Sequence, residues 1–152
     1  MSKAPAFEPG LDERWSETDL DVVHGVISRS YWAEGIPRDV MKRAMEGSLN
    51  LMMRDASGAL IGYARVITDR ATFAYLCDVF VLESHRGQGL GHWLIGRVVA
   101  HPALQGLRRF SLFTRDAHAL YARHGFTPLA APDRGMEVVR PGIYLTSSDA
   151  AR

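Results

Sequence analysis

A single cysteine, Cys77, stands in 152 residues. That excludes an internal disulfide and any cysteine-rich zinc site, and it fits a reducing compartment. Long apolar runs are missing as well. No window approaches the roughly 18 apolar residues that a membrane-crossing helix needs, and the N-terminus has no apolar secretory core. The chain therefore reads as cytoplasmic, with no membrane partner. Charge of one sign is also lacking: 18 Lys and Arg against 17 Asp and Glu leave a formal net charge of +1. Without a basic excess or stripe, no nucleic-acid partner is expected. The six histidines are dispersed, and none forms a His-x-x-x-His pair beside a glutamate. No metal site follows from them. Internal repeats and low-complexity stretches are absent too.

What is present describes one α/β domain. Hydrophobic residues make up 47% and charged residues 23%, which suits a chain long enough to bury its own core. Residues 1–10 hold two prolines and read as a loose arm, before a domain over 11–145 and a tail over 146–152. A short strand is expected at 14–16. Thr18 followed by Asp21 reads as a capping box, opening a helix that buries Leu20, Val23, Val26 and Ile27. Pro37 suits the first position of a second helix, in which Val40, Met41, Ala44 and Met45 share a face before Gly47 stops it. Apolar runs predict strands over 49–54, 59–68 and 73–82, the first two joined by the hairpin loop Asp55-Ala56-Ser57-Gly58. A helix over 90–100, a strand over 107–114, a helix over 117–124 and a closing strand pair at 126–129 and 136–139 follow. The order is β-α-α-β-β-β-α-β-α-β-β. A central antiparallel meander feeding a β-α-β unit makes the sheet mixed, mostly antiparallel and flanked by helices.

Arg86-Gly87-Gln88-Gly89-Leu90-Gly91 lies where a strand should turn into a helix. Glycine permits positive φ and lets a ligand approach the backbone. A helix start after such a turn leaves N–H groups unpaired at its positive end, which suits a phosphate or pyrophosphate. A P-loop would need Lys and then Ser or Thr, where His92 and Trp93 stand. The dinucleotide fingerprint would need two residues between its second and third glycines, where only Leu90 stands. What remains is Arg-x-x-Gly-x-Gly between strand and helix. About 30 residues on comes Leu120-Tyr121-Ala122-Arg123-His124-Gly125-Phe126, in which a helix presents a tyrosine and a glycine turns the chain out.

The first motif resembles the acyl-CoA pyrophosphate loop of the GNAT superfamily of N-acetyltransferases, and the second its Leu-Tyr-x-x-x-Gly-Phe signature. The element order is also that of the GNAT fold, so the resemblance covers nearly the whole chain. It implies acetyl-CoA as cosubstrate and direct attack by an amine in a ternary complex, with no acyl-enzyme. Arg86, Gly87, Gln88, Gly89, Gly91 and His92 would then offer N–H groups to the pyrophosphate. The backbone near Phe80 and Val81 would pair with the pantetheine amides, while their side chains pack. Tyr121 is expected to give a proton to the leaving thiolate, because a phenol donates at neutral pH. Thr114 takes the place of an asparagine that touches the pantetheine region in the family.

The base and the acceptor site are less legible. Diamine acetyltransferases of the superfamily carry Leu-Glu-Asp where this chain has Leu76-Cys77-Asp78, so Cys77 replaces the acid that acts through water. Asp78 is either the base or a buried hydrogen-bonding group, and alternation puts it on the opposite face from Cys77 unless a bulge intervenes. Tyr75 shares the Cys77 face and is placed to line the acceptor site. Tyr31, Trp32 and Glu34, between the first two helices, suit a cationic or aromatic amine, or Trp32 anchors that loop in the core. Arg38 and Arg65 would instead suit a carboxylate. Asp116 reads as an N-cap and His118 as an exposed helical histidine. The expected reaction is acetyl transfer to a primary amine of a small molecule or polypeptide. Another acyl-CoA donor, or an acyl-CoA sensor without catalysis, are the other readings. Family members pair through sheets or C-terminal strands, so a homodimer with residues 142–152 at the contact is admitted, though no residue argues for it.

Overall fold

The computed structural model describes residues 4–145. The chain runs β1 (Gly10–Asp12), α1 (Glu17–Ile27), α2 (Arg38–Glu46), β2 (Leu49–Arg54), β3 (Leu60–Thr68), β4 (Phe73–Val81), α3 (Leu90–Val99), β5 (Arg109–Leu112) and α4 (His118–Ala122). The strands form one sheet in chain order, antiparallel from β1 to β4 and parallel between β4 and β5. The α/β architecture and mixed sheet are those expected.

Strand alternation explains the two faces. Leu49, Leu51 and Met53 of β2 and Ala64 and Val66 of β3 face α3, where Leu90, Leu94, Ile95 and Val98 cover them. Met52 and Tyr63 point the other way, onto Leu20, Val23 and Ile27 of α1 and Met41 and Met45 of α2. Both faces of the meander are thus buried. The Tyr63 hydroxyl donates to Asn50 Oδ1, and Asn50 Nδ2 donates to Met45 O at 2.8 Å. Among the described residues no buried side-chain polar atom is left without a partner.

The structure corrects several expectations. The first strand lies at Gly10–Asp12, where it pairs with Met52–Arg54, and not at 14–16. The cap of α1 is Ser16 rather than Thr18: Ser16 Oγ accepts the Asp19 N–H at 3.2 Å and Asp19 returns the bond to the Ser16 N–H at 2.9 Å. Asp21 instead pairs with Arg38 at 2.8 Å. Pro37 occupies the cap position of α2, just outside the helix. The arm is tied down within its described part: Phe7 packs on the α3 cluster and Glu8 pairs with Arg97 at 3.2 Å.

The closing strand pair is not formed. Residues 126–139 belong to no strand, and Pro128 and Pro132 are two reasons, since each removes a ladder donor and restricts the residue before it. The chain passes instead across the Tyr75 side of the sheet, and Tyr144 reaches the α1–α2 loop. There a side chain at Gly35 (φ 81°) would meet the Tyr144 carbonyl at 2.8 Å. The tail at 146–152 lies outside the described residues. Among those residues, no helix is long and apolar enough to cross a membrane.

Candidate active site

β4 carries the centre of the site. Its pairing with β3 runs from Thr68↔Ala74 to Arg65↔Cys77 and resumes at Tyr63↔Phe80. Asp78 and Val79 therefore face the single residue Ala64, which is a β-bulge. Asp78 adopts φ 53° there, a left-handed conformation uncommon outside glycine. Ala74 and Leu76 face α3 before the bulge, and Val79 and Val81 face it afterwards. The switch brings Asp78 to the side of Cys77. Its buried carboxylate accepts Trp32 Nε1–H at 2.8 Å and Arg65 Nε–H at 2.7 Å. Arg65 also donates to Ser48 Oγ at 3.0 Å. Burial, opposed by Arg65 and helped by Asp78, pushes the Cys77 thiol up to about 12.

The other edge of β4 opens at the same level. β5 pairs with it only from Phe73↔Arg109 to Leu76↔Leu112. Beyond Leu112 the chain leaves toward α4, so residues 77–81 have no described strand beside them on that side. Phe80 is buried against α1 and α2, and Val81 packs toward α3, so both side chains are packing groups. The Val81 carbonyl accepts Arg86 Nε–H at 3.1 Å.

The glycine loop follows a short 3-10 turn at Glu83–His85. Gly87 and Gly89 take φ 79° and 77°, which side-chain-bearing residues rarely adopt. No side chain caps α3. Its first paired donor is the Trp93 N–H, on Gly89 O at 3.1 Å. The N–H groups of Leu90, Gly91 and His92 stand unpaired at the positive end of the helix. A depression of about 240 Å³ lies over this turn, lined also by Val81, Arg86 and Leu120. His92 Nδ1 lies 3.2 Å from His124 Nε2, and its Nε2 lies 3.3 Å from Arg123 Nη1. A guanidinium only donates, so His92 Nε2 accepts and Nδ1 carries the proton toward His124. Burial, then His92 and Arg123, lower the pKa of His124.

Tyr121 stands on α4, half-buried and edge-on to Phe126 at 5.9 Å. Burial, with Tyr31 adding, pushes its phenol up to about 12. At neutral pH it is protonated and able to donate. Tyr31 lies under the Arg115 guanidinium at 3.9 Å and its hydroxyl accepts the Arg115 N–H at 3.3 Å. The α1–α2 loop is thereby joined to the β5–α4 connection. Thr114 Oγ1 accepts the Ala117 N–H at 3.0 Å; Ala117, not Asp116, occupies the cap position of α4, and no side chain caps that helix. Asp116 itself is exposed, 3.9 Å from Arg115.

A groove of about 420 Å³ opens on the Tyr75 side of the sheet, walled by Tyr75, Ser111, Phe113, Leu129, Arg109 and Arg134. The Tyr75 and Phe113 rings lie 6.1 Å apart. Burial raises the Tyr75 pKa, and Glu137 is among the negative groups that add to it. Phe113, Glu137 and Arg134 had no motif to mark them, because the crossing of residues 129–137 over the sheet is set by packing. Trp32 is half-exposed, held by its bond to Asp78 and not sunk in the core. Glu34 is exposed and pairs with no described residue. Arg65 is taken up by Asp78, and Arg38 by Glu17 and Asp21, at 2.8 Å each, so neither waits for a substrate carboxylate. Gln88 and His118 lie in the loop and on α4 as expected, with His118 exposed.

Residues 13–126 match the Acetyltransferase (GNAT) family. Serotonin N-acetyltransferase 2, chloroplastic, of Oryza sativa subsp. japonica is 30% identical over 139 residues, 86% of this chain and 68% of that protein. A crystal structure of a GNAT-family protein from Xanthomonas campestris pv. campestris has 47% identity and a TM-score of 0.87, over 92% of this chain and 99% of that one. A Clostridium acetobutylicum protein crystallised with acetyl-CoA shares the fold at 15% identity and a TM-score of 0.61, over 86% and 96% of the two chains. The glycine loop, the bulged β4 and the Tyr121 helix all fall within the matched residues, and the chain belongs to the GNAT family of acetyltransferases.

Proposed function

We propose that this chain transfers the acetyl group of acetyl-CoA to a primary amine of a small molecule or polypeptide, by direct attack in a ternary complex. The observation that carries the reading is that the unpaired start of α3, the β4 end at Val81 and Leu120, which precedes Tyr121 on α4, line one depression. Acetyl-CoA would supply the reactive thioester. The N–H groups of Leu90, Gly91 and His92 suit its pyrophosphate, and the edge of residues 77–81 suits the amides of its arm. The bulge frees a main-chain donor near Val79 to polarise the thioester carbonyl. The amine nitrogen bonds to the carbonyl carbon, the carbon–sulfur bond breaks, and Tyr121 passes its proton to the departing sulfur. Cys77 keeps its proton at neutral pH, which favours direct attack over a thiol-borne intermediate. Asp78, with both oxygens engaged, holds Trp32 and Arg65 around the acceptor side and reaches the amine proton through water. Thr114 steadies the turn that leads to Tyr121. The acceptor enters over Tyr75 and Phe113, with Tyr31, Trp32 and Glu34 at its mouth. Serotonin as the substrate named for the rice relative suits this aromatic lining.

The test is calorimetric titration with acetyl-CoA, free CoA and succinyl-CoA, followed by an amine panel read by thiol release. Micromolar acetyl-CoA binding with turnover supports the reading. Binding without turnover on any amine makes the chain a sensor. Preference for succinyl-CoA changes the donor, and no binding to any ester removes the proposal.

A further inference from the structure

The groove on the Tyr75 side of the sheet carries charge of one sign. Tyr75, Phe113 and Leu129 give it an apolar wall, and the charged side chains that line it are Arg109 and Arg134. No described carboxylate is among its lining residues. The two guanidiniums arrive by different routes. Arg109 stands opposite Phe73 and Ser111 opposite Tyr75, so alternation turns Arg109 to the Tyr75 face. Arg134 ends the short 3-10 turn Pro132–Arg134, whose Arg134 N–H donates to Ala131 O at 3.1 Å where the chain crosses that face. Neither side chain has an ion-pair partner among the described residues, although Glu137 is close enough to add to the raised pKa of Tyr75. Two cations beside one cavity repel each other, and an anion placed between them relieves the repulsion. The apolar wall is open as well: Phe113 is 73% exposed, and a ligand lying on it removes that surface from water. A volume of about 420 Å³ is that of a small-molecule site. The register adds a length. Arg109 is level with Phe73, and four residues at about 3.3 Å each place Cys77, where the open edge of β4 begins, about 13 Å further along. The flexible arginine stem takes up part of that span. An α-amino acid, with amine and carboxylate on one carbon, is too short to reach both ends, whereas about three extended residues fit.

Given acetyl transfer to an amine, on which this inference rests, we propose that the acceptor is an extended amine with an apolar or aromatic middle and a carboxylate at its far end, and that Arg109 and Arg134 receive the carboxylate. The amine then lies toward Cys77 and Asp78, and the middle covers Tyr75 and Phe113. A plain monoamine would fill the aromatic wall and leave both guanidiniums unanswered. The acetyl step keeps its balance: the nitrogen–carbon bond forms, the carbon–sulfur bond breaks, the nitrogen loses a proton and the departing sulfur gains one. A short apolar peptide with free N- and C-termini has this chemistry, and so does a long ω-amino acid. The arginines act on specificity, through the end of the acceptor that does not react.

The experiment compares the tripeptide Ala-Phe-Leu as free acid, the same tripeptide as C-terminal amide, an ω-amino acid of matching length and a plain aromatic monoamine. Calorimetry reads binding to the CoA-loaded full-length protein, and thiol release from acetyl-CoA reads kcat/KM. The acid should be favoured over the amide at least about fivefold in both, the scale of two solvent-screened ion pairs. The preference should shrink as salt rises. In the double variant Arg109→Gln, Arg134→Gln the acid should fall to the level of the amide. Both arginines are exposed, and an acetyl-CoA affinity within about twofold of the native value shows that the variant is folded. The ω-amino acid separates the two sources: favoured like the tripeptide, it shows that length and charge suffice, and refused, it assigns the groove to peptides. Equal treatment of acid and amide by the native protein overturns the proposal, as does a preference that survives the double substitution. Acetyl transfer fails separately. Thiol release on the amide or the monoamine with no acid preference keeps acetyl transfer and removes the anion site, whereas acid-selective binding with no thiol release keeps the anion site and removes acetyl transfer.

Discussion

Tyr121, half-buried, and Asp78, buried, are held by different means. The Tyr121 phenol, pushed up to about 12 by burial and then by Tyr31, stays protonated throughout the working range. Tyr121→Phe should lower kcat about 100-fold, the usual scale for losing a general acid, and leave acetyl-CoA affinity nearly unchanged. Stopped-flow and calorimetry read the two effects separately. The sign of the pH effect follows from the raised value. Tyr121 loses its proton only near the top of the alkaline range, so a decline of kcat that begins below about pH 10 must come from another group and must persist in Tyr121→Phe. Asp78 is half of a buried ion pair with Arg65. Removing one partner strands the other charge, and Asp78→Ala should destabilise the fold by about 3 kcal/mol in urea unfolding. If stability is unchanged while turnover collapses, the carboxylate serves chemistry and not anchorage.

At the scale of elements, the turn between β4 and α3 is the feature that cannot be redrawn. Gly89 opens α3 at φ 77°, where a branched side chain is strained and would crowd the unpaired N–H groups. Gly89→Val should weaken acetyl-CoA binding at least about tenfold, the scale of losing one well-made charged hydrogen bond. The N-terminal corner depends on charge instead. Arg54 donates to Asp12 at 2.7 Å and to Asp19 at 2.8 Å, clamping β1, β2 and the start of α1. Its hydrogen bond to Asp19 holds that carboxyl below its ordinary value against burial. A depressed carboxyl gives stability that is whole above its unfolded value, about 4, and is lost as pH falls through the lower folded value. Arg54→Met should therefore flatten the acid side of the stability curve below about pH 4, seen by thermal unfolding at stepped pH. Most of these elements were legible in advance. β2 and β3 follow alternation, and the glycines mark the turn. Thr18 misled because Ser16…Asp19 and Thr18…Asp21 are overlapping caps; Ser16 takes the role while Asp21 is drawn to Arg38.

For the whole molecule, ligand and fold are linked. Acetyl-CoA at 100 times its dissociation constant should stabilise the native chain by about 2.7 kcal/mol. At the tenfold weaker affinity expected of Gly89→Val, the same concentration should stabilise that variant by only about half as much, or less. An equal shift in both proteins would place the ligand elsewhere than the glycine loop. The architecture that produces the linkage is the parting of β4 from β5 after Leu76↔Leu112. It leaves the edge of β4 open between the depression at the glycine loop and the Tyr75 groove, so on the proposed reading donor and acceptor approach the same strand from different directions.

Local sequence determined the glycine turn, the first three helices, strands β2 to β4, the tyrosine helix and the likeness to acetyltransferases. Each depends on residues close together in the chain, where φ preference, alternation and capping act. The tertiary structure alone decided where Asp78 points, since a bulge is a mismatch between two strands and neither strand records it. It also decided that Arg65 belongs to Asp78, and that residues 126–139 cross a sheet face instead of joining it. Those outcomes depend on register and on which surfaces remain to be covered, and both are properties of the assembled chain.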